Sequence, residues 1–175
     1  MKRFNLRISA SMLCAALILS GFASPAIAAS TANPYGASPI DPPSKNEVIL
    51  TIENRGQINS FRIADLVALK PKAITIYEPF LKKSQTFSVI SLKELFRIAG
   101  IVPTQSVETR ALNDYIYTNT SKEFMAAQGF LAIKRDGKLI PYDQGGPIRI
   151  IYSTGSKWSH FLDPWNWSLM SIKAK

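Results

Sequence analysis

Short runs of alternating apolar and polar positions, broken by turn residues, dominate the chain from residue 47 onward. Val48-Ile49-Leu50-Thr51-Ile52 reads as a strand ended by Asn54-Arg55-Gly56. Phe61-Arg62-Ile63 reads as a short strand and Ala64 to Leu69 as a short helix stopped at Pro71, with another strand over Ala73 to Tyr77. Thr86 to Ile90 is a strand running into Ser91-Leu92-Lys93-Glu94, where Ser91 and Glu94 have the spacing of a capping box. The helix that follows carries Leu92, Leu95, Phe96 and Ala99 on one face and stops at Gly100. Val107 to Arg110 and Tyr115 to Tyr117 are strand-like around an Asn113-Asp114 turn, and Thr120 or Ser121 caps a helix through Phe124 that Gly129 stops. Phe130 to Lys134 and Lys138 to Ile140 flank Asp136-Gly137, a pair that accepts the positive φ values of a tight hairpin turn. A Tyr142 to Pro147 loop leads to an apolar strand, Ile148 to Tyr152. Trp167 to Ala174, apolar on both alternating sets, reads as a buried strand that closes the chain. Many short strands with three short helices predict an α+β domain dominated by sheet.

The first residues follow another pattern. Lys2, Arg3 and Arg7 precede an apolar stretch from Met12 to Phe22, and Ala26-Ile27-Ala28 places small residues where a signal peptidase cuts. The stretch is shorter than the roughly 20 residues that span a bilayer and is interrupted by Ser20, Gly21, Ser24 and Pro25, so residues 1–28 are expected to be a cleaved signal peptide rather than a membrane anchor. Residues 29–46 hold Pro34, Pro39, Pro42 and Pro43 among small polar residues, a linker or arm with little to bury. The domain proper is expected over 47–175.

Composition narrows the function. The 175 residues are 46% hydrophobic and 19% charged, as in an ordinary globular protein. Cleavage after Ala28 leaves 147 residues and removes three positive charges and no negative ones, so the formal charge falls from +9 to +6. The basic residues are scattered rather than aligned on one face, which argues against nucleic-acid binding. The single cysteine, Cys14, lies within the signal, so a disulfide framework, a cysteine-held zinc and a Cys/His nucleophile lack their atoms. With His160 the one histidine, no catalytic residue and no metal site is assigned.

An ordered set of segments carries a family resemblance. Ser-Leu-Lys-Glu-Leu at 91–95, Ala-Gly-Ile at 99–101, Leu-Asn-Asp-Tyr at 112–115, Phe-Leu-Ala-Ile-Lys-Arg-Asp-Gly-Lys-Leu-Ile at 130–140, Asp-Gln-Gly-Gly-Pro-Ile-Arg-Ile-Ile-Tyr at 143–152 and Ser-Lys-Trp at 156–158 succeed one another. Together they resemble the molybdopterin-binding domain of the sulfite-oxidase superfamily. The resemblance implies a mixed, mainly β-sheet fold with short helices, and implies that Asp114, Tyr115, Gln144, Gly145, Gly146, Arg149, Ser156, Lys157 and Trp158 face a pterin and its phosphate or a ligand in their place. Physically, a glycine pair lets backbone N–H groups approach an anion, and an arginine grips a phosphate or carboxylate with two parallel hydrogen bonds. Each residue also has a plain structural reading: the glycines as a turn, Arg149 as a solvent-facing strand residue, Asp114 as the stabiliser of its own turn.

Two departures limit what the resemblance implies. Catalytic members hold molybdenum through a protein thiolate, and no cysteine follows Cys14. Cofactor-loaded proteins leave the cytoplasm through the twin-arginine route, whereas Lys2-Arg3-Phe4-Asn5-Leu6-Arg7 has no adjacent arginine pair. The leading expectation is therefore a Sec-exported, periplasmic, non-catalytic module that binds a small anionic ligand or an envelope protein. A periplasmic molybdopterin-dependent oxidoreductase and a structural subunit of an envelope complex are the alternatives. Trp158, Phe161, Trp165 and Trp167, around Asp163-Pro164, are either a core plug or a stacking wall for a planar ligand.

Overall fold

The computed structural model describes residues 43–175, all within one compact unit. The expected signal peptide at 1–28 and all but the last four residues of the expected arm at 29–46 lie outside the described residues.

Local sequence accounts for most of the elements. Strands β1 (Leu50–Asn54) and β2 (Gln57–Phe61) form a hairpin on Arg55 and Gly56, both at positive φ. Helix α1 (Ile63–Ala68) follows at once, because the Asp65 carboxylate accepts the Arg62 N–H at 2.8 Å and ends the strand. The expected Phe61-Arg62-Ile63 strand is thus divided: Phe61 closes β2, Arg62 is the cap and Ile63 opens the helix. Strands β3 (Lys72–Glu78) and β4 (Lys83–Ser91) pair antiparallel. Ser91 Oγ accepts the Glu94 N–H and starts α2 (Leu92–Ile98), while the Glu94 carboxylate pairs with Arg97. Strands β5 (Ser106–Ala111) and β6 (Ile116–Thr120) turn at Asp114, φ +63°, and Thr120 caps α3 (Ser121–Ala126).

Gly129 does not stop α3. Gln128, at φ +52°, makes the turn, and Gly129 opens β7 (Gly129–Arg135). Close approach is what calls for a glycine there, since a Cβ would lie 2.8 Å from Leu92 Cδ1 and 3.0 Å from both the Phe124 carbonyl oxygen and a Tyr152 ring carbon. Asp136-Gly137 joins β7 to β8 (Lys138–Leu139), and β9 (Arg149–Tyr152) and β10 (Leu169–Ala174) complete the set.

The protein is α+β and mainly β, with two five-stranded sheets. One runs β2-β1-β10-β5-β6, antiparallel except where β1 meets β10 in parallel. The other runs β3-β4-β7, with β8 and β9 sharing the far edge of β7. Helices α1 and α3 each touch both sheets, through β2 and β7 and through β6 and β7, and α2 packs on β4 and β7. Leu92, Leu95, Phe96, Phe124, Leu131 and Ile133 are wholly buried in this core. Each such side chain contributes about 1.5–3 kcal/mol relative to an exposed position.

Strand β10 corrects the expectation of burial on both faces. A bulge between Leu169 and Ser171 shifts its register against β5, so Leu169 faces the core on one parity and Ile172 and Ala174 on the other. Met170 and Lys173 are exposed.

Candidate functional site

Strand β9 divides the residues that the sequence groups together. Side chains alternate along a strand, so Arg149 and Tyr152 leave β9 on opposite sides.

On the Tyr152 side lies a ring cluster. Trp158 meets Tyr152, Phe124 and Tyr117 edge to face, with centroids 5.3, 5.6 and 5.8 Å apart, and Tyr117 meets Phe124 at 5.9 Å. The loop from Ser153 to Ser168 is fastened across these rings. Trp165 Nε1 donates to the Trp158 carbonyl (2.8 Å), the Tyr152 hydroxyl to the Pro164 carbonyl (3.2 Å), and the Tyr115 hydroxyl to the Asp163 carbonyl (2.9 Å). Asn166 Nδ2 donates to both oxygens of Thr109 at 3.2 Å. Burial pushes the Tyr152 hydroxyl well above its ordinary pKa, so it stays a donor to Pro164.

Outside the rings is a cleft of about 320 Å³ lined by Tyr117, Lys157, Trp158, Phe161, Asp163 and Pro164. Phe161 is 65% exposed at its mouth. Lys157 is ion-paired with Glu123 on α3, and its Nζ lies 4.9 Å from the centre of a Trp158 ring. Tyr115 adjoins the cleft through Asp163; its hydroxyl pKa is raised first by burial and then by the charges of Asp163 and Tyr117.

On the other side of β9 the glycine loop is closed. Tyr142–Gln144 make one 3-10 turn, capped by Gly145 at φ +81°, and a cis peptide joins Gly146 to Pro147. The Gly145 N–H donates to the Tyr142 carbonyl and the Gly146 N–H to the Pro141 carbonyl. A Cβ on Gly146 would sit 2.0 Å from the Ile140 carbonyl oxygen. Gln144 accepts a hydrogen bond from Arg135. Arg149 is wholly buried, with Nη2 3.6 Å from an oxygen of equally buried Glu78, and its guanidinium lies over the rings of Phe87 and Trp167 at 5.0 and 5.5 Å.

The expected site residues therefore fall into two groups. Tyr115, Lys157 and Trp158 come together around the cleft. Gln144, Gly145, Gly146 and Arg149 form an internal cluster behind β9. Ser156 belongs to the loop turn, its carbonyl accepting from Ser159, and Asp114 is exposed and paired with Arg110 at 3.3 Å. Arg149 is not a solvent-facing strand residue, because Glu78, at the buried end of β3, balances its charge inside. The glycine pair has spent both N–H groups within its own turn. This loop does not fit the phosphate of a pterin.

Sequence reasoning did not single out Glu78, Tyr117, Glu123 or Asp163. Glu78 had a signal, since it shares the alternating face of Ile74 and Ile76, and a carboxylate on a core-facing strand position calls for a buried cation. In the aromatic segment Trp165 is core, Trp158 packs on the core and also lines the cleft, and Phe161 is exposed. A larger groove of about 410 Å³ runs beside Lys70, Lys72 and Glu94, and that carboxylate is taken by Arg97.

Among the described residues no three His, Cys, Asp or Glu side chains gather to hold a metal, and no helix is long and apolar enough to cross a membrane. Fold and site together define an α+β, mainly β domain with an aromatic-walled cleft fastened to its core. Compared with known families and curated proteins, the chain matches no family model and no curated sequence.

Proposed function

We propose that the chain is an exported, non-catalytic binding module on a scaffold like the molybdopterin-binding domain of the sulfite-oxidase superfamily, with the Trp158 cleft as its ligand seat. The observation that carries this reading is the cleft: rigid ring walls, Lys157 and Asp163 at its edge, and an exposed Phe161 that can cover an occupant. The chain has one cysteine, placed in the expected signal, and one histidine, which leaves a Cys/His nucleophile or a cysteine-held metal without its residues. A panel of small planar compounds, anionic, neutral and cationic, tested on the mature chain by thermal shift and tryptophan fluorescence, checks the reading. A saturable response that Phe161→Ala removes supports it. Failure of every compound, or an equal response in Phe161→Ala, overturns it.

A second reading, an accessory subunit of an envelope complex, draws on the exposed Leu112, Ile116 and Leu162, apolar residues from the β5–β6 hairpin and the Ser153 to Ser168 loop. It requires that the native protein run as part of a larger assembly in envelope extracts and that Leu162→Asp release it.

A further inference from the structure

We propose that the occupant of the Trp158 cleft is a small organic cation bearing a quaternary ammonium group. The proposal rests on the cleft being the ligand seat and goes on to name the class of ligand.

The charges set the sign. Arg149 and Lys157 were the two cations expected to draw an anion, but Arg149 lies behind β9 against Glu78, and Lys157 is neutralised by Glu123. The remaining charge lining the cleft is Asp163, exposed and without an ion pair among the described residues. Asp163 already acts on its surroundings, raising the pKa of the Tyr115 hydroxyl after burial has done so. An anion entering here would meet the Asp163 carboxylate and a lysine already paired with Glu123; a cation would meet Asp163 and three rings, with the charge of Lys157 offset by Glu123.

The walls set the type of cation. Tyr117, Trp158 and Phe161 offer aromatic surface, whose π faces attract positive charge, and Pro164 adds an apolar ring. The Lys157 ammonium over Trp158 is an internal instance of that attraction. Hydrogen-bond acceptors at the site are already engaged: the carbonyls of Trp158, Asp163 and Pro164 accept from Trp165, Tyr115 and Tyr152. A primary ammonium entering could donate to the Asp163 carboxylate but would leave its remaining N–H groups short of partners among the engaged carbonyls, whereas a quaternary ammonium has no N–H to satisfy. A volume of about 320 Å³ accommodates a trimethylammonium group with a short chain.

The mature chain is titrated with choline, with its uncharged isostere 3,3-dimethylbutanol, with benzoate as a planar anion, and with phosphatidylcholine vesicles, reading tryptophan fluorescence and heat. Choline should bind saturably and about tenfold more tightly than the isostere, as expected for a cation–π and carboxylate contribution of this size. Asp163→Asn should weaken choline several-fold and leave the isostere unchanged. Binding of free choline assigns a small solute; binding of vesicles alone assigns the same headgroup on a lipid. The proposal is overturned if the isostere or benzoate binds as tightly as choline, or if Asp163→Asn has no effect. Where benzoate or the isostere binds in a Phe161-dependent manner and choline does not, the cation falls and the ligand seat stands. If none of the four binds, the cation falls, and the ligand seat stands or falls with the wider planar panel.

Discussion

Replacing Arg149 with alanine should damage the fold before it affects any ligand. Its guanidinium and the Glu78 carboxylate, 3.6 Å apart and both wholly buried, attract each other by about 4–5 kcal/mol at an effective dielectric of about 20. Much of that attraction offsets the cost of taking both charges out of water, so the intact pair adds little net stability. Breaking it is another matter. Arg149→Ala would leave Glu78 buried with its charge uncompensated, its other oxygen still accepting the Leu81 N–H, and would empty the space between Phe87 and Trp167. The expected loss is about 3–5 kcal/mol, a large share of the roughly 5–15 kcal/mol that holds a domain together. In a chain of this length that lowers the Tm by about 10–15 °C.

Urea melts followed by circular dichroism, with the double variant included, separate this account from a simple packing loss. Arg149→Met with Glu78→Leu removes both charges and refills the volume, so it should lie within about 2 kcal/mol of the native chain, far above either single variant. The reasoning is refuted if Arg149→Ala unfolds within about 0.5 kcal/mol of the native chain, or if the double variant loses the sum of the two single losses.

Other outcomes follow from the same structure. The Tyr142 hydroxyl, pushed up to about 12 by burial and by its hydrogen bond to Glu47, keeps its proton longer folded than unfolded; its contribution is complete below about pH 10 and lost as pH rises through 12, a window that urea midpoints of Tyr142→Phe should lack. Gly146→Ala should leave no folded protein by circular dichroism, because the new Cβ would overlap the Ile140 carbonyl, whereas Gly137→Ala, with open space at its turn, should fold with a modest loss. Intact-mass analysis of natively produced protein should find a chain starting near Ala29, and a retained Met1 would count against export. Elemental analysis of the same material should find no stoichiometric molybdenum, and close to one atom per chain would call for an oxygen or nitrogen ligand in place of the thiolate.

What was legible in the sequence was local. Ser91 and Thr120 as helix caps, Asp136-Gly137 as a hairpin turn and the alternation of β3 and β4 each depend on neighbours within four residues, and all are present. What escaped depends on distant partners. The parallel seam of β1 with β10 joins the two ends of the domain, and β10 bulges at Met170 against β5 while its other edge pairs with β1. The candidate site divided for the same reason. Gly145 to Arg149 and Lys157-Trp158 are close in sequence, but the short strand between them turns Arg149 one way and Tyr152, with Trp158 behind it, the other.

That division gives the cleft its usable chemistry. Trp158 and Tyr117 are held edge to face against Phe124 and Tyr152, rings that belong to the hydrophobic core, so the walls are set before any ligand arrives and little side-chain entropy is lost on binding. The same packing makes Trp158 a poor place to test function. Truncating it would remove contacts with three core rings and the carbonyl that Trp165 Nε1 uses would shift, so lost binding could not be told from lost structure. Phe161 and Asp163 differ in kind: both are exposed, and neither side chain holds the loop, which is fastened through the backbone carbonyls of Trp158, Asp163 and Pro164. Phe161→Ala and Asp163→Asn should therefore melt within about 0.5 kcal/mol of the native chain, as surface changes away from such fastenings do. A larger loss in either would mean that the rim is part of the core, and the cleft could not then be varied apart from the fold.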